Sequence, residues 1–179
     1  MIRFCLLLIC GCVAMLGGVG LHASQRDNWA QVWLTEHNAA RAEFGSAPLR
    51  WSDELAREAH GWAVRLAGEG RMRHASVNER RGRGENLWMG TSGYFSPEQM
   101  IASFVDEQRY FTPGRFPRVS RTGRWSDVGH YTQIVWPETR EVGCAIARGR
   151  SNDVLVCRYW PSGNVIGTFI APADRVASR

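Results

Sequence analysis

Residues 129–136 read GHYTQIVW, in which polar and apolar side chains alternate up to Trp136. Such alternation is typical of a β-strand with one buried face, so we predict a strand over 130–136. In that strand His130 shares a face with Ile134 and Trp136. Two apolar neighbours place His130 at the edge of a buried region, where a histidine is either structural or part of a site.

Amphipathic helices are predicted on the N-terminal side of this stretch. Apolar side chains recur at helical spacing in 28–44 and 53–67, and Ser52 can cap the second of these helices. The sequence SPEQ (96–99) predicts the start of a third helix, with proline in the first turn and Gln99 completing a capping box.

Further strands are predicted from short apolar runs at 85–90, 142–148, 153–159 and 166–170. The chain thus places helices first and strands mainly afterwards, which is an α+β order. A sheet between helical layers is the simplest packing for such a chain. Two long segments, 73–85 and 110–129, have no periodicity.

The N-terminus has the pattern of a secretory signal peptide. Arg3 precedes an apolar run over 4–16 that is too short for a transmembrane helix, and small residues offer a cleavage site after Ala23. The alternatives are an uncleaved anchor and a lipoprotein site at Cys12.

Cleavage there divides the chain into a signal peptide, 1–23, and one mature domain, 24–179, with its core at about 30–170. We expect the mature domain to be secreted or periplasmic and to lack a transmembrane segment.

The formal net charge is +5, and every one of the 22 basic residues is arginine. A moderate positive charge favours anionic surfaces such as lipid headgroups. No basic stripe at helical spacing is present, so we do not expect a nucleic-acid partner.

Two of the five cysteines lie in the expected mature domain, and an even pair in an exported protein is expected to be oxidised. The runs 142–148 and 153–159 are joined by the short linker GRSN. Folding them about the middle of that linker places Cys144 opposite Cys157. We therefore predict a cross-strand disulfide.

Two carboxylates lie where a structural role is not obvious. Glu107 falls on or near the buried stripe of the third helix, unless it reaches solvent at the last turn. Glu85 either lies in a strand beside Leu87 or is a turn residue paired with Arg83.

Together with the loop residue His74, these carboxylates and His130 have the composition of a divalent-metal or acid/base site. Their spacing matches no local ligand motif. No G-x-S-x-G motif is present, and both mature cysteines are assigned to the disulfide, so nucleophilic catalysis is not indicated.

Four segments of the chain resemble the CAP superfamily, which comprises cysteine-rich secretory proteins, antigen 5 and pathogenesis-related class-1 proteins. GHYTQIVWPET (129–139) resembles the first family signature, and VLVCRYWPSGNV (154–165) the second. HNAARAEFGSAPLRW (37–51) resembles the first-helix segment, and GENLWMG (84–90) the Gly-Glu-Asn strand. We expect a secreted bacterial member.

This resemblance implies a three-layer α-β-α sandwich with a central antiparallel sheet. It also implies a cleft formed by His74, Glu85, Glu107 and His130, where family members can hold zinc or another divalent cation. By the same resemblance, Asn86, Tyr131 and Gln133 support the cleft.

Three functions remain open from the sequence. The first is a non-enzymatic binding module for a lipid, a sterol or another extracellular ligand. The second is a zinc-dependent secreted peptidase or other hydrolase, with Glu85 or Glu107 as the base. The third is a structural or adhesive role in a cell envelope.

Overall fold

The computed structural model describes residues 18–173, with side chains from residue 28 onward. Its helices are α1 (Gly18–Phe44), α2 (Asp53–Glu69), α3 (Pro97–Val105) and α4 (Gly129–Ile134). Its strands are β1 (Arg50–Trp51), β2 (Gly84–Thr91), β3 (Gly114–Arg115), β4 (Glu141–Arg148), β5 (Asn152–Trp160) and β6 (Phe169–Ile170). Short 3₁₀ helices span Asp106–Tyr110 and Trp125–Asp127.

The central sheet has the strand order β1-β4-β5-β2. The pairs β4–β5 and β5–β2 are antiparallel, as predicted, whereas the two-residue β1 runs parallel to β4. β3 and β6 form a separate antiparallel ribbon. The strand expected over 166–170 is therefore confined to its last two residues.

Helix α2 covers one face of the sheet. Ser52 accepts a hydrogen bond from the Leu55 amide, and Gly70 ends the helix in the left-handed conformation. Trp62 and Leu66 pack on Val154 and Val156 of β5. The predicted helix over 53–67 is confirmed.

The other face of the sheet is covered by the layer that contains α1, α3 and α4. Ser96 and Gln99 form the predicted capping box at the start of α3. Since side chains alternate along β5, Leu155 and Cys157 point into this layer while their neighbours face α2. The predicted α-β-α sandwich is confirmed.

The prediction of a strand over 130–136 is wrong, because residues Gly129–Ile134 form helix α4. All residues from Tyr131 to Trp136 are buried, so the polar and apolar alternation does not correspond to a buried and an exposed face. The helix N-terminus is satisfied by the Glu107 carboxylate, which accepts hydrogen bonds from the His130 and Tyr131 amides. That partner lies more than twenty residues away in sequence and leaves no local capping signal.

The predicted disulfide joins Cys144 and Cys157, which are direct partners in the β4–β5 register. Both cysteines are buried in the layer of α1. The bridge therefore fixes the two central strands to each other beneath the first helix.

Among the described residues, no helix combines the length and hydropathy needed to cross a bilayer. Most of the expected signal peptide, residues 1–17, lies outside the described part of the chain. The signal peptide and its cleavage site stay predictions.

Candidate functional site: two histidine–carboxylate pairs

The first pair joins His74 of the loop after α2 to Glu85 of β2. The His74 Nδ1 atom lies 2.6 Å from Glu85 Oε1, which also accepts the Ala75 amide at 3.0 Å. The carboxylate is fully enclosed, whereas 62% of the His74 side chain is exposed. The buried glutamate therefore holds a solvent-facing imidazole in place.

Glu85 takes its charge partner from the neighbouring strand. Arg158 is its direct register partner on β5, and Arg158 Nη1 lies 2.9 Å from Glu85 Oε2. The contact is an ion pair without hydrogen-bond alignment, so neither atom has a hydrogen bond among the described residues. Burial lowers the pKa of Arg158, while Glu85 and Glu58 oppose that shift. Of the two arrangements open for Glu85, the structure adopts the strand.

The second pair joins Glu107 to His130 at the start of α4. His130 Nδ1 lies 2.6 Å from Glu107 Oε1, and Glu107 Oε2 accepts the His130 and Tyr131 amides at 2.9 and 3.1 Å. Glu107 lies on the 3₁₀ helix that follows α3, not on α3 itself. Phe104 stacks on the imidazole with ring centroids 4.7 Å apart. The His130 ring is thus held at one edge by the Glu107 carboxylate and on one face by the Phe104 ring.

The two pairs have the same chemical arrangement. In each, a carboxylate oxygen accepts a hydrogen bond from Nδ1, which requires the proton on that nitrogen. Nε2 has no hydrogen bond to any described residue in either histidine. In its neutral form each imidazole would therefore offer an Nε2 lone pair, with its orientation set by a glutamate.

Each pair has the chemistry of a metal-binding histidine, which commonly donates its other N–H to a carboxylate. No three of the four residues bring ligand atoms within 4.8 Å of one another among the described residues. The glutamates are already engaged with Nδ1 and backbone amides. In this geometry they orient the histidines instead of acting as ligands themselves.

A compact trio of His37, Cys144 and Cys157 also brings potential ligand atoms together. Both sulfur atoms are consumed by the disulfide. His37 Nδ1 donates to the Trp33 carbonyl at 2.7 Å, and Nε2 accepts from the Tyr159 hydroxyl at 2.8 Å. With no free thiolate and no free imidazole nitrogen, this trio is structural.

The three residues expected to support the cleft are all buried. Asn86 donates to the His130 carbonyl and to the Tyr159 hydroxyl, both at 3.1 Å, and so connects β2 to α4. Gln133 accepts the Gly163 amide at 3.0 Å, and a Cβ at Gly84 would overlap the Gln133 side chain.

Tyr131 packs edge-on against Phe44 and Phe111 beneath the second pair. Burial, followed by the charge of Glu43, raises the pKa of Tyr131 to about 12. Its role is therefore packing as a neutral phenol.

Arg41 is a buried residue that the sequence patterns do not identify. Its guanidinium donates to the Ala47 carbonyl and to the carbonyls of Ile134, Trp136 and Thr139. Burial, followed by repulsion from Arg140, lowers its pKa to about 10. The arginine holds the C-terminal side of α4, just as Glu107 holds its N-terminal side.

A separate cleft of about 820 Å³ opens between α1, the start of α2 and β4. Its lining includes the three tryptophans Trp29, Trp33 and Trp51, and none of the four histidine and glutamate residues. We call it the tryptophan cleft. Its volume lies within the range of roughly 300–1,000 Å³ that is usual for small-molecule sites.

The charged residues of the tryptophan cleft differ in how they are paired. Asp53 accepts the Trp51 indole N–H at 3.0 Å, and Asp153 accepts Ser92, Gly93 and Arg148. The exposed Arg57 has no ion pair or hydrogen bond with any described residue. Asp153 is thus paired with Arg148, Asp53 accepts one indole N–H, and Arg57 keeps all its donors free of the described residues.

Comparison with known proteins agrees with this fold. Pathogenesis-related protein PRMS of Zea mays is 31% identical over 158 residues, covering 87% of this chain and 90% of that protein. Pathogenesis-related protein 1C of Nicotiana tabacum is 34% identical over 148 residues, covering 82% and 83%.

Among solved structures, NaASP2 with Zn²⁺ is similar with a TM-score of 0.66 and 24% identity, covering 79% of this chain and 83% of that one. BmVAL-1 is similar with a TM-score of 0.65 and 22% identity, covering 80% and 81%. The model of the cysteine-rich secretory protein family, CAP, matches residues 34–159. With the matching fold and close sequence relatives, this chain belongs to the CAP family.

Proposed function

We propose that this CAP protein is an exported, non-enzymatic binding module whose ligand is a lipid bearing an anionic group, held in the tryptophan cleft. The observation that carries this proposal is an aromatic floor with an unpaired arginine, Arg57, at its rim. Trp29, Trp33 and Trp51 supply the apolar surface, and the exposed Arg57 and His60 lie beside it. Aromatic walls with a few polar groups are the usual composition of sites for such ligands.

The unpaired Arg57 favours a carboxylate over a neutral headgroup as the polar group of the ligand. Among the described residues neither Asp53 nor Asp153 pairs with Arg57, and Asp153 is held by Ser92, Gly93 and Arg148. An acyl chain on the tryptophans with its carboxylate near Arg57 would satisfy both surfaces. A neutral sterol would use the apolar surface alone.

The test of the cleft compares palmitate and cholesterol by calorimetry and by quenching of tryptophan fluorescence. We expect palmitate to bind, with roughly tenfold weaker binding after Trp51→Ala, because much of the apolar contact is lost. Arg57→Gln should weaken palmitate and leave cholesterol unchanged.

Trp160→Ala is the matched control, since Trp160 is half-exposed, outside the cleft, and covered by Arg83. Equal losses in Trp51→Ala and Trp160→Ala would contradict the cleft assignment. If cholesterol bound more tightly than palmitate, the ligand would still be a lipid, but the proposal that it bears an anionic group would be wrong.

We also propose that His74 and His130 hold a divalent cation, and zinc is among the metals that imidazoles bind. The support is the shared geometry of the two pairs, in which each Nδ1 is bound by a glutamate and each Nε2 is free. A bound cation would supply charge and a rigid link between α4 and the loop after α2.

The same geometry favours binding over hydrolysis. The Glu107 oxygens accept three hydrogen bonds, and Glu85 is occupied by His74, Ala75 and Arg158. A general base needs a carboxylate within reach of the attacking water, and both carboxylates face protein groups instead.

Zinc binding is tested by calorimetry and metal analysis of the purified protein. His130→Ala should abolish binding, whereas His60→Ala, at an exposed position on α2, should bind as the wild type does. Glu107→Gln should weaken zinc by about 10–100-fold, which is the usual effect of losing an orienting carboxylate. Unchanged zinc binding in His130→Ala would refute the assignment.

Export is the remaining part of the proposal. It is supported by the apolar run after Arg3 and by the disulfide, which forms and persists in oxidising compartments. N-terminal sequencing of the exported protein should begin at Ser24. A retained N-terminus in the exported protein would refute the cleavage site.

A further inference from the structure

An exposed turn near the β3–β6 ribbon combines apolar and basic side chains. The turn contains Val165 and Ile166, which are 49% and 82% exposed, and it adjoins the arginine-rich segment 115–124. We call this combined area the turn surface. Its residues are separate from the tryptophan cleft and from both histidine–carboxylate pairs.

Backbone hydrogen bonds hold the turn firmly beside β3. The Gly167 amide donates to the Phe116 carbonyl at 2.8 Å, and the Phe116 amide donates to the Thr168 carbonyl at 2.9 Å. The Thr168 amide closes the turn by donating to the Val165 carbonyl at 3.2 Å. Ile166 is therefore presented to solvent at a fixed position, where an apolar side chain gains nothing from the fold.

A side-chain hydrogen bond holds one arginine at this turn, and two more exposed arginines follow it along the chain. The Arg115 guanidinium donates to the Gly167 carbonyl at 3.0 Å, which brings its charge to the turn itself. The Arg118 amide bonds the Arg115 carbonyl at 2.8 Å, and Arg121 follows on the same exposed segment. None of these three arginines forms an ion pair with a described residue, whereas Arg124 is paired with Asp127.

The absence of neighbouring acids in the sequence strengthens this positive charge. No Asp or Glu occurs between Gln108 and Ser126, and the segment 161–170 has no charged residue at all. Trp125, 48% exposed, packs on Phe116 next to the turn and adds an amphipathic ring. An apolar tip surrounded by arginines and an indole is the composition of a surface that enters a membrane interface.

We propose that the turn surface docks on a lipid bilayer that contains anionic headgroups, with Ile166 entering the interface and Arg115 and Arg118 contacting phosphates. The exposed isoleucine favours a bilayer over a hydrophilic polyanion, because a polymer offers no apolar phase for it. This contact goes beyond the proposed lipid cleft, since it recognises a surface instead of a single molecule.

The test measures partition of the full mature protein onto vesicles of phosphatidylcholine alone or with one quarter phosphatidylglycerol. We expect binding to the anionic vesicles only, weakening as NaCl rises from 50 to 500 mM. Each arginine at a bilayer surface contributes about a fivefold factor, so Arg115→Gln with Arg118→Gln should reduce partition about 25-fold. Ile166→Ser should reduce it roughly tenfold.

Two controls separate this surface from general charge and apolarity. Arg65→Gln with Arg71→Gln changes the net charge equally on exposed positions of α2 and the following loop. Val77→Ser removes an exposed apolar side chain from another loop. Both variants should partition onto anionic vesicles within about twofold of the wild type, because exposed side chains outside the turn surface contribute little to docking.

Several results would overturn the proposal. One is equal binding to both vesicle types. Another is an equal loss of vesicle binding in the two double-arginine variants. A third is an Ile166→Ser protein that partitions like the wild type. Retention on a soluble polyanion with no vesicle binding would also overturn it. Trp51→Ala keeps the turn surface intact, so failure of the tryptophan cleft and failure of this surface are distinguishable.

Discussion

A fully buried imidazole at position 37 connects the first helix to the sheet. Its Nδ1 donates to the Trp33 carbonyl, and Tyr159 donates to its Nε2, so both nitrogens are satisfied in the neutral form. Burial lowers the pKa of His37 to about 4, opposed by the hydrogen bond to Trp33 and assisted by Arg41. Protonation would therefore occur at the expense of the folded state.

Stability should accordingly fall as the pH drops from about 6.5 to about 4. In that window the unfolded chain binds a proton at His37 and the folded chain does not, so the free energy of unfolding decreases by at most about 1.4 kcal/mol per pH unit. Urea unfolding between pH 7.5 and 4.5 measures the slope. His37→Gln should flatten it, and His60→Gln should not. An unchanged slope in His37→Gln would contradict this origin.

A second residue-scale prediction concerns Arg41. Its guanidinium bonds four carbonyls in a planar fork that an ammonium group does not reproduce, so Arg41→Lys leaves buried carbonyls unpaired. We expect a loss of about 3 kcal/mol in the free energy of unfolding. The control Arg50→Lys, with its side chain 78% exposed, should change stability by less than about 0.5 kcal/mol. Similar values for both variants would refute the prediction.

The elements differ in how locally their ends are specified. Helices α2 and α3 have caps within their own sequence, at Ser52 and Ser96, and both were predictable. Helix α4 is held by Glu107 and Arg41, which come from distant segments. The alternating pattern of GHYTQIVW therefore predicts a strand, because no local signal opposes it.

The candidate site was predictable to a similar degree. Composition and family resemblance select His74, Glu85, Glu107 and His130. Which histidine pairs with which glutamate is seen only in the folded structure. The register partner of Glu85, Arg158, belongs to a strand more than seventy residues away. The tryptophan cleft was also not predictable, because its three tryptophans belong to α1 and β1 and meet only through packing.

At the scale of elements, Glu107→Gln should destabilise the start of α4. The neutral amide accepts hydrogen bonds more weakly and faces His130 Nδ1 with a donor, so two helix amides lose their charged partner. We expect hydrogen exchange at the His130 and Tyr131 amides to accelerate about tenfold. The exposed Glu98→Gln in α3 is the control and should leave these amides protected. Equal protection in both variants would argue against this capping role.

For the whole molecule, the disulfide constrains the two central strands across a sequence separation of 13 residues. Replacing both cysteines, Cys144→Ala with Cys157→Ala, should lower the free energy of unfolding by about 3 kcal/mol. Denaturant unfolding of the oxidised, reduced and double-alanine proteins measures this. The reduced and double-alanine proteins should agree with each other, and a double-alanine protein as stable as the oxidised form would contradict the prediction.

One edge of the central sheet is only partly paired. Within residues 18–173, β1 pairs with β4 only at Glu141 and Val142, so no strand pairs with the outer side of β4 from Gly143 onward. The tryptophan cleft is lined by three residues of this unpaired edge, Cys144, Ala145 and Ile146. An unpaired strand is a template for self-association. A molecule seated in the cleft would shield it, so light scattering should show slower aggregation of the palmitate-loaded protein in concentrated storage than of the empty one.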